Sequence, residues 1–189
     1  MFCNVAPRPR NAEATRAAIL TAAQERFSRE SYDDVGMRDI ARDVGVDAAL
    51  VSRYFGSKED LFASVLDSCS NGNELMDGPR AEFGRRVAHE VIFKPAKEGK
   101  LKGLLIMLRS VGSTKAMEIV QRTGTERFFN PFAEWVGGED AMLRARLAAA
   151  TIMGMAISKE ITGGLGMTRE ECERLETRMA AILQAILDS

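Results

Sequence analysis

Zinc and thiol chemistry have little to work with in this sequence. One histidine (His89) and three scattered cysteines (Cys3, Cys69, Cys172) occur in 189 residues. Their spacing matches no zinc site, CxxC pair or disulfide framework, so no metal, cofactor or catalytic residue is expected. Charge of one sign is missing too: 26 Lys and Arg stand against 27 Asp and Glu, a net of −1. That excludes a polybasic protein that coats nucleic acid through charge alone. Long apolar runs are absent. The longest charge-free one lies between Arg146 and Lys159, short of the ~20 residues a bilayer core requires. The first ten residues, MFCNVAPRPR, put Pro and Arg where a signal peptide needs an apolar stretch. Unpaired cysteines suit a reducing compartment. A cytoplasmic protein with no membrane partner is expected.

What is present is helical. Only five prolines interrupt the chain, strand-like alternation is lacking, and no repeat occurs. Asn11 is placed to cap a helix whose apolar face includes Ile19, Ala23 and Phe27 at four-residue steps. A short helix with Met37, Ile40, Ala41 and Val44 follows, then a turn at Gly45 and a third helix from Ala48 to about Phe55, capped by Asp47. Ser57 with Asp60 reads as a capping box for a fourth helix striped by Leu61, Phe62, Val65, Leu66 and Cys69. Further helices are expected near 80–94, 98–112, 114–136, 139–162 and 168–188, with breaks at Pro95, Gly112, Gly137-Gly138 and Gly163-Gly164.

Two short helices joined by a glycine turn, within a three-helix unit, form a helix-turn-helix pattern. If Val51 and Phe55 face Ile40, Val44 and Val46, the free face of the third helix is Ala49, Ser52 and Arg53, flanked by Leu50 and Tyr54. Those side chains suit DNA. Arg53 can fork onto a guanine edge or clamp a phosphate. Ser52 and the Tyr54 hydroxyl can bond phosphate oxygens, and Ala49 and Leu50 can touch thymine methyls. Lys58, at the N-terminus of the fourth helix, is a phosphate candidate. Arg38 is either a further DNA contact or a local partner of Asp39 or Asp43. Residues 1–60 hold nine Lys/Arg against ten Asp/Glu, so affinity has to come from fit and from paired copies more than from bulk charge.

At these residues the sequence resembles the DNA-binding domain of the tetracycline-repressor (TetR) family. The resemblance spans residues 15–62 and rests on Ile19-Leu20 with Phe27, Arg38-Asp39-Ile40-Ala41, Gly45-Val46 and Tyr54-Phe55-Gly56-Ser57-Lys58-Glu59. It implies an all-α protein: an N-terminal three-helix helix-turn-helix domain plus a C-terminal helical bundle for ligand binding and dimerisation. It also implies a homodimeric regulator, usually a repressor, that leaves a double-stranded DNA operator when a small-molecule effector binds. Arg38, Ala48, Ala49, Leu50, Ser52, Arg53, Tyr54 and Lys58 fall where family members contact DNA. Three positions depart from the family pattern: Ser31 stands for the usual glycine, Val35 for a common capping Thr, and Ser52 for a frequent aromatic. Asp34 or Gly36 is then left to cap the second helix.

The expected organisation is a disordered tail at 1–10, the DNA-binding domain at 11–56, a connecting helix and linker at 57–78, and a ligand-binding and dimerisation domain at 79–189. The last two helices carry apolar seams. Leu143, Leu147, Ala150, Gly154 and Ile157 mark one, and Leu175, Met179, Ile182 and Ile186 the other. Such seams build either a four-helix bundle across a two-fold axis or an intramolecular core. Met107, Phe128, Phe129, Phe132, Trp135 and Met153 form an adaptable apolar set that would line an effector pocket or pack as plain core. Acid pairs such as Glu59-Asp60 and Glu170-Glu171 sit in first helical turns, where carboxylates serve as caps rather than as convergent acid/base pairs. A helical enzyme and a regulator without effector response are the competing classes.

Overall fold

The computed structural model describes residues 9–69, 74–95 and 98–189. The expected tail falls outside the described residues except at Pro9 and Arg10, which open the first helix. Ten α-helices and no strand occur among the described residues: α1 (Pro9–Arg29), α2 (Met37–Val44), α3 (Ala48–Phe55), α4 (Lys58–Cys69), α5 (Phe83–Phe93), α6 (Glu98–Ser110), α7 (Thr114–Gly124), α8 (Asn130–Val136), α9 (Ala141–Ile161) and α10 (Arg169–Asp188). Single turns of 3₁₀-helix at Tyr32–Asp34 and Arg80–Glu82 precede α2 and α5.

Most of the expected boundaries are found. Asp47 accepts the Ala49 N–H at 2.7 Å, so α3 is capped as its sequence requires. Ser57 and Asp60 exchange N–H bonds across the first turn of α4, and Thr168 and Glu171 do the same for α10. Three details differ. The first helix starts at Pro9, two residues before Asn11, because a proline has no N–H to satisfy in a first turn. Gly36 rather than Asp34 precedes α2, and the Asp39 carboxylate accepts its N–H at 3.1 Å. The stretch expected as one helix over 114–136 contains a π-helical turn at Thr125–Phe129, directly after Gly124.

The chain divides into two compact units. One joins α1–α4 with α6 and α7. Its core contains Ile19, Ala23 and Phe27 of α1, Ile40 and Ala41 of α2, Val51 and Phe55 of α3, Leu61, Phe62 and Val65 of α4, and Ile106, Ala116 and Ile119 of α6 and α7. The rings of Phe27 and Phe62, and of Tyr32 and Phe62, meet edge-on with centroids 4.9 Å apart, a favoured aromatic geometry. Gly45 turns the chain from α2 toward α3 at φ +73°, a conformation a Cβ would strain.

The other unit packs α5, α8, α9 and α10 around Phe83, Val87, Ile92, Phe132, Val136, Ala145, Ala148, Met179, Leu183 and Leu187. Gly84 lets α5 lie directly on α10: a Cβ there would come within 2.2 Å of the Ala180 carbonyl oxygen. Two buried or half-buried cations finish helix ends. Arg144 donates to the carbonyls of Leu187 at 2.7 Å and Glu139 at 2.5 Å. Lys159 donates to those of Val91, Ile92 and Lys94, at the C-terminus of α5.

Candidate nucleic-acid interface

α2 and α3 meet as the sequence pattern requires. Ile40 and Val51 are fully buried between them, Phe55 nearly so, and Val44 and Val46 close the contact from the side. Burying that stripe turns the other face of α3 outward. Ala49, Ser52 and Arg53 are exposed, while Ala48, Leu50 and Tyr54 are half-buried along its edges. Arg38, in the first turn of α2, is exposed as well. Seven of the eight expected contact residues therefore lie on or beside the free side of two consecutive helices. Eight residues give α3 a length of ~12 Å, which a major groove accepts.

The electrostatics of this unit are local. Arg26 forks onto Asp43 at 2.5 and 2.9 Å and also reaches Glu30 at 3.1 Å, which holds the Asp43 carboxyl below its ordinary range. Arg29 pairs with Glu25 and Arg42 with Asp39, both across one helical turn. Lys102 and Lys115 pair with Glu25 and Glu59, and the hydrogen bond from Lys115 holds the Glu59 carboxyl at about 2. Arg38 and Arg53 have no carboxylate within salt-bridge distance among the described residues. A unit whose acids and bases nearly cancel thus leaves two arginines without a salt bridge on the free side of α2 and α3 among the described residues.

The eighth expected residue, Lys58, stands differently from the sequence reading. Its ammonium does not extend freely from the N-terminus of α4. It rests 4.2 Å from the centre of the Tyr32 ring, a cation–π contact, and is half-buried there. Burial lowers its proton affinity below that of an ordinary lysine, while Asp33, Glu59 and Asp34 act the other way. The first turn of α4 is also partly used, since the Ser57 and Asp60 amides are occupied by their capping box. A sequence gives no sign of this contact, because Tyr32 and Lys58 are far apart along the chain.

Further polar ties fix α6 and α7 onto α1 and the turn after it. Arg109 donates through Nε to the Ser28 carbonyl at 2.8 Å, and the Ser113 hydroxyl to the Asp33 carboxylate at 3.1 Å. Arg109 is thus engaged with α1.

The expected effector-lining residues are distributed over both units. Met107 packs against the core that contains α1–α4. Phe128, Phe129, Phe132 and Trp135 form an aromatic cluster in the other unit, with neighbouring centroids 5.1 to 6.1 Å apart. Phe132 is fully buried and serves as core, whereas Phe129 is half-buried under the Arg146 guanidinium, 4.6 Å from its ring. Met153 is exposed on α9.

The two seams divide between inside and outside. Leu143 is 63% exposed, Leu147 53% and Ile182 53%. Ala150 and Gly154 are also exposed, and Ile157, Leu175 and Ile186 are half-buried. Met179, by contrast, is buried in its own unit's core and does not belong to the outer face, since α10 turns that residue toward α5 and α9. Among the described residues α9 alone is long and apolar enough to cross a membrane by length and composition. Its inner side is alanine-lined through Ala145, Ala148 and Ala149.

His89 pairs with Glu176 at 2.9 Å on the surface. Among the described residues no group of three or more His, Cys, Asp or Glu is placed to hold a metal ion.

Fold and recognition face define a helix-turn-helix DNA-binding regulator with a second helical domain. A family model described as bacterial regulatory proteins, tetR family, matches residues 19–65. A second, described as tetracyclin repressor-like, C-terminal domain, matches residues 81–187. The chain belongs to the TetR family of transcriptional regulators. An HTH-type transcriptional repressor of Mycobacterium tuberculosis is 41% identical over 59 residues, 31% of either chain. The HTH-type transcriptional regulator BetI of Agrobacterium fabrum is 42% identical over 53 residues, 28% of this chain and 26% of its own. The chain thus spans less than a third of the length of the curated relatives it matches. A TetR-family regulator from Streptomyces coelicolor superposes with a TM-score of 0.60 at 26% identity, over 97% of this chain and 99% of that one. NalD, the secondary repressor of the MexAB-OprM multidrug efflux pump in Pseudomonas aeruginosa, superposes with a TM-score of 0.68 at 21% identity, over 90% and 95%.

Proposed function

We propose that this chain is a homodimeric repressor that binds a pseudo-palindromic operator through α2 and α3 and leaves it when a small, largely apolar effector binds. The observation that carries the reading is the free face of α3: Ala49, Ser52 and Arg53 point outward, and Arg53 is not engaged by any acid of its own unit. In this reading Arg53 reads a base edge and Arg38 a base or a phosphate. Ala48, Ala49 and Leu50 contact thymine methyls and sugar edges. Ser52, Tyr54 and Lys58 bond the backbone.

Pairing two copies supplies what the near-neutral head lacks. The apolar outer face of α9 and α10, with Leu143, Leu147, Ala150, Gly154, Ile157, Leu175, Ile182 and Ile186, supports a two-fold bundle of four helices. Two heads would then address half-sites about 34–36 Å apart. A DNA partner supports a cytoplasmic location for the protein's work. The aromatic cluster around Phe128, Phe129 and Trp135 supports an effector with an apolar body. The effector acts by favouring a state whose head separation does not match successive grooves.

Selection from a pool of random-sequence duplexes tests the reading. Recovery of one inverted repeat is expected, and recovery of unrelated sequences contradicts it. Equal affinity for that repeat with and without a saturating effector would leave a regulator lacking the effector switch.

A further inference from the structure

Of the seven Lys and Arg side chains in residues 12–69, three arginines are neutralised by carboxylates: Arg26, Arg29 and Arg42. Lys58 is held on Tyr32. Arg38 and Arg53 belong to the recognition face already described. The seventh is Arg16, on α1, and its position is explained by none of these roles.

Arg16 is exposed. Its guanidinium lies 4.7 Å from the centre of the Phe55 ring. Glu13, one turn back on the same helix face, offers the usual local partner, yet the arginine makes no salt bridge to it and lies over the ring instead. Phe55 is the last residue of α3, two positions after Arg53 and three before Lys58. Its ring is almost wholly buried beneath this contact, so it is a fixed platform. A stacked guanidinium keeps its in-plane N–H donors free, and stacking removes much of the rotamer freedom that a long side chain loses when it binds.

We propose that Arg16 is a further phosphate-binding residue of the DNA-binding unit, seated by Phe55 at the C-terminal end of the recognition helix. The inference rests on the reading of α3 as the DNA-facing helix. It extends the contact surface to α1, where neither the helix-turn-helix pattern nor the spacing of α2 and α3 would place a contact. The carboxylates nearest in sequence to the α3–α4 corner have partners of their own, Glu59 in Lys115 and Asp60 in Ser57, so neither holds the Arg16 guanidinium. A purely structural role is the competing explanation, since a cation beside the C-terminal end of α3 also complements its dipole.

The two roles separate in one experiment. Full-length protein is titrated against a fluorescein-labelled duplex of about 30 base pairs of random sequence, between about 50 and 200 mM salt. Arg16→Ala should lower the slope of log affinity against log salt by about 0.9 and weaken binding roughly five- to tenfold near 0.1 M, equally for duplexes of different sequence. Arg16→Lys should retain the slope. Arg29→Ala, which removes an exposed arginine already paired with Glu25 on the same helix, should leave slope and affinity unchanged. An unchanged slope in Arg16→Ala, with normal wild-type binding, overturns the proposal and leaves the α3 reading intact. A lowered melting midpoint with an unchanged slope assigns Arg16 to the helix end and overturns it equally. Failure of the wild-type protein to bind any duplex removes the α3 reading, and this proposal with it.

Discussion

The ammonium of Lys58 sits 4.2 Å from the centre of the Tyr32 ring, which joins the first turn of α4 to the turn that follows α1. To reach a phosphate the lysine has to leave that ring, forgoing a cation–π contact worth roughly 0.5–2 kcal/mol. In the free protein the lysine is thus held against the ring rather than extended.

Replacing Lys58 by Ala should weaken binding to all duplexes alike and reduce the salt slope by about one, because a phosphate contact carries no sequence information. Titrations at several salt concentrations read this directly. A loss confined to one sequence would mean that Lys58 reaches a base instead.

Tyr32 itself contributes a buried hydroxyl with no hydrogen-bond partner, and burial raises its phenol to about 12. Tyr32→Phe removes an unsatisfied polar atom while keeping the ring for Phe27, Phe62 and Lys58. The variant should be as stable as the parent or up to about 1–3 kcal/mol more stable in denaturant titration. A destabilisation would show that the hydroxyl has a partner in solution.

Lys115 holds the Glu59 carboxyl at about 2, against an ordinary 4.5. The folded value lies below the unfolded one, so the pair's contribution is fully present above about pH 4.5 and is lost as the pH falls toward 2. The stability difference between wild type and Lys115→Met should thus shrink across that window. A difference that persists at pH 2 would contradict the assignment.

Gly84→Ala tests the packing of α5 on α10. The added methyl would lie 2.2 Å from the Ala180 carbonyl oxygen and 3.0 Å from Cβ of Gln184, so the helices have to separate. A loss of about 2–3 kcal/mol is expected, read as a lowered denaturation midpoint. Retained stability would mean that the helix pair has slack.

These experiments draw unequally on what the sequence makes visible. The helix-turn-helix was legible because Ile40, Val44, Val51 and Phe55 recur at helical spacing around Gly45, and burying one stripe dictates which residues remain outside. Caps at Asp47 and Ser57 were legible for the same local reason. Contacts made across the fold were not. An amphipathic pattern says that Ile106, Ala116 and Ile119 face a core but not whose core, and they join the one built by α1–α4. The seam on α10 shows the same limit: its periodicity groups Met179 with Ile182, yet Met179 is 3% exposed and Ile182 53%. The storage of Lys58 on Tyr32 and the stacking of Arg16 on Phe55 depend on helix positions that no local spacing encodes.

Leu147, 53% exposed in the N-terminal half of α9, is the most direct handle on the proposed homodimer. Leu147→Glu should leave the helical content intact and shift the sedimenting species from dimer to monomer, since burying a carboxylate in an apolar seam is strongly unfavourable. A variant that still sediments as a dimer would place the interface elsewhere.

The proposed reading of sequence by α3 through Arg53 is open to direct measurement. It is tested by the ratio of dissociation constants for a selected inverted repeat and its scrambled counterpart, measured at physiological salt for the wild-type protein and for Arg53→Ala. The wild type should favour the repeat by roughly a thousandfold or more. The variant should lose the equivalent of about 1–3 kcal/mol of discrimination at one or two base pairs. Equal affinity of the wild type for both duplexes, or a preference that Arg53→Ala leaves untouched, would contradict it.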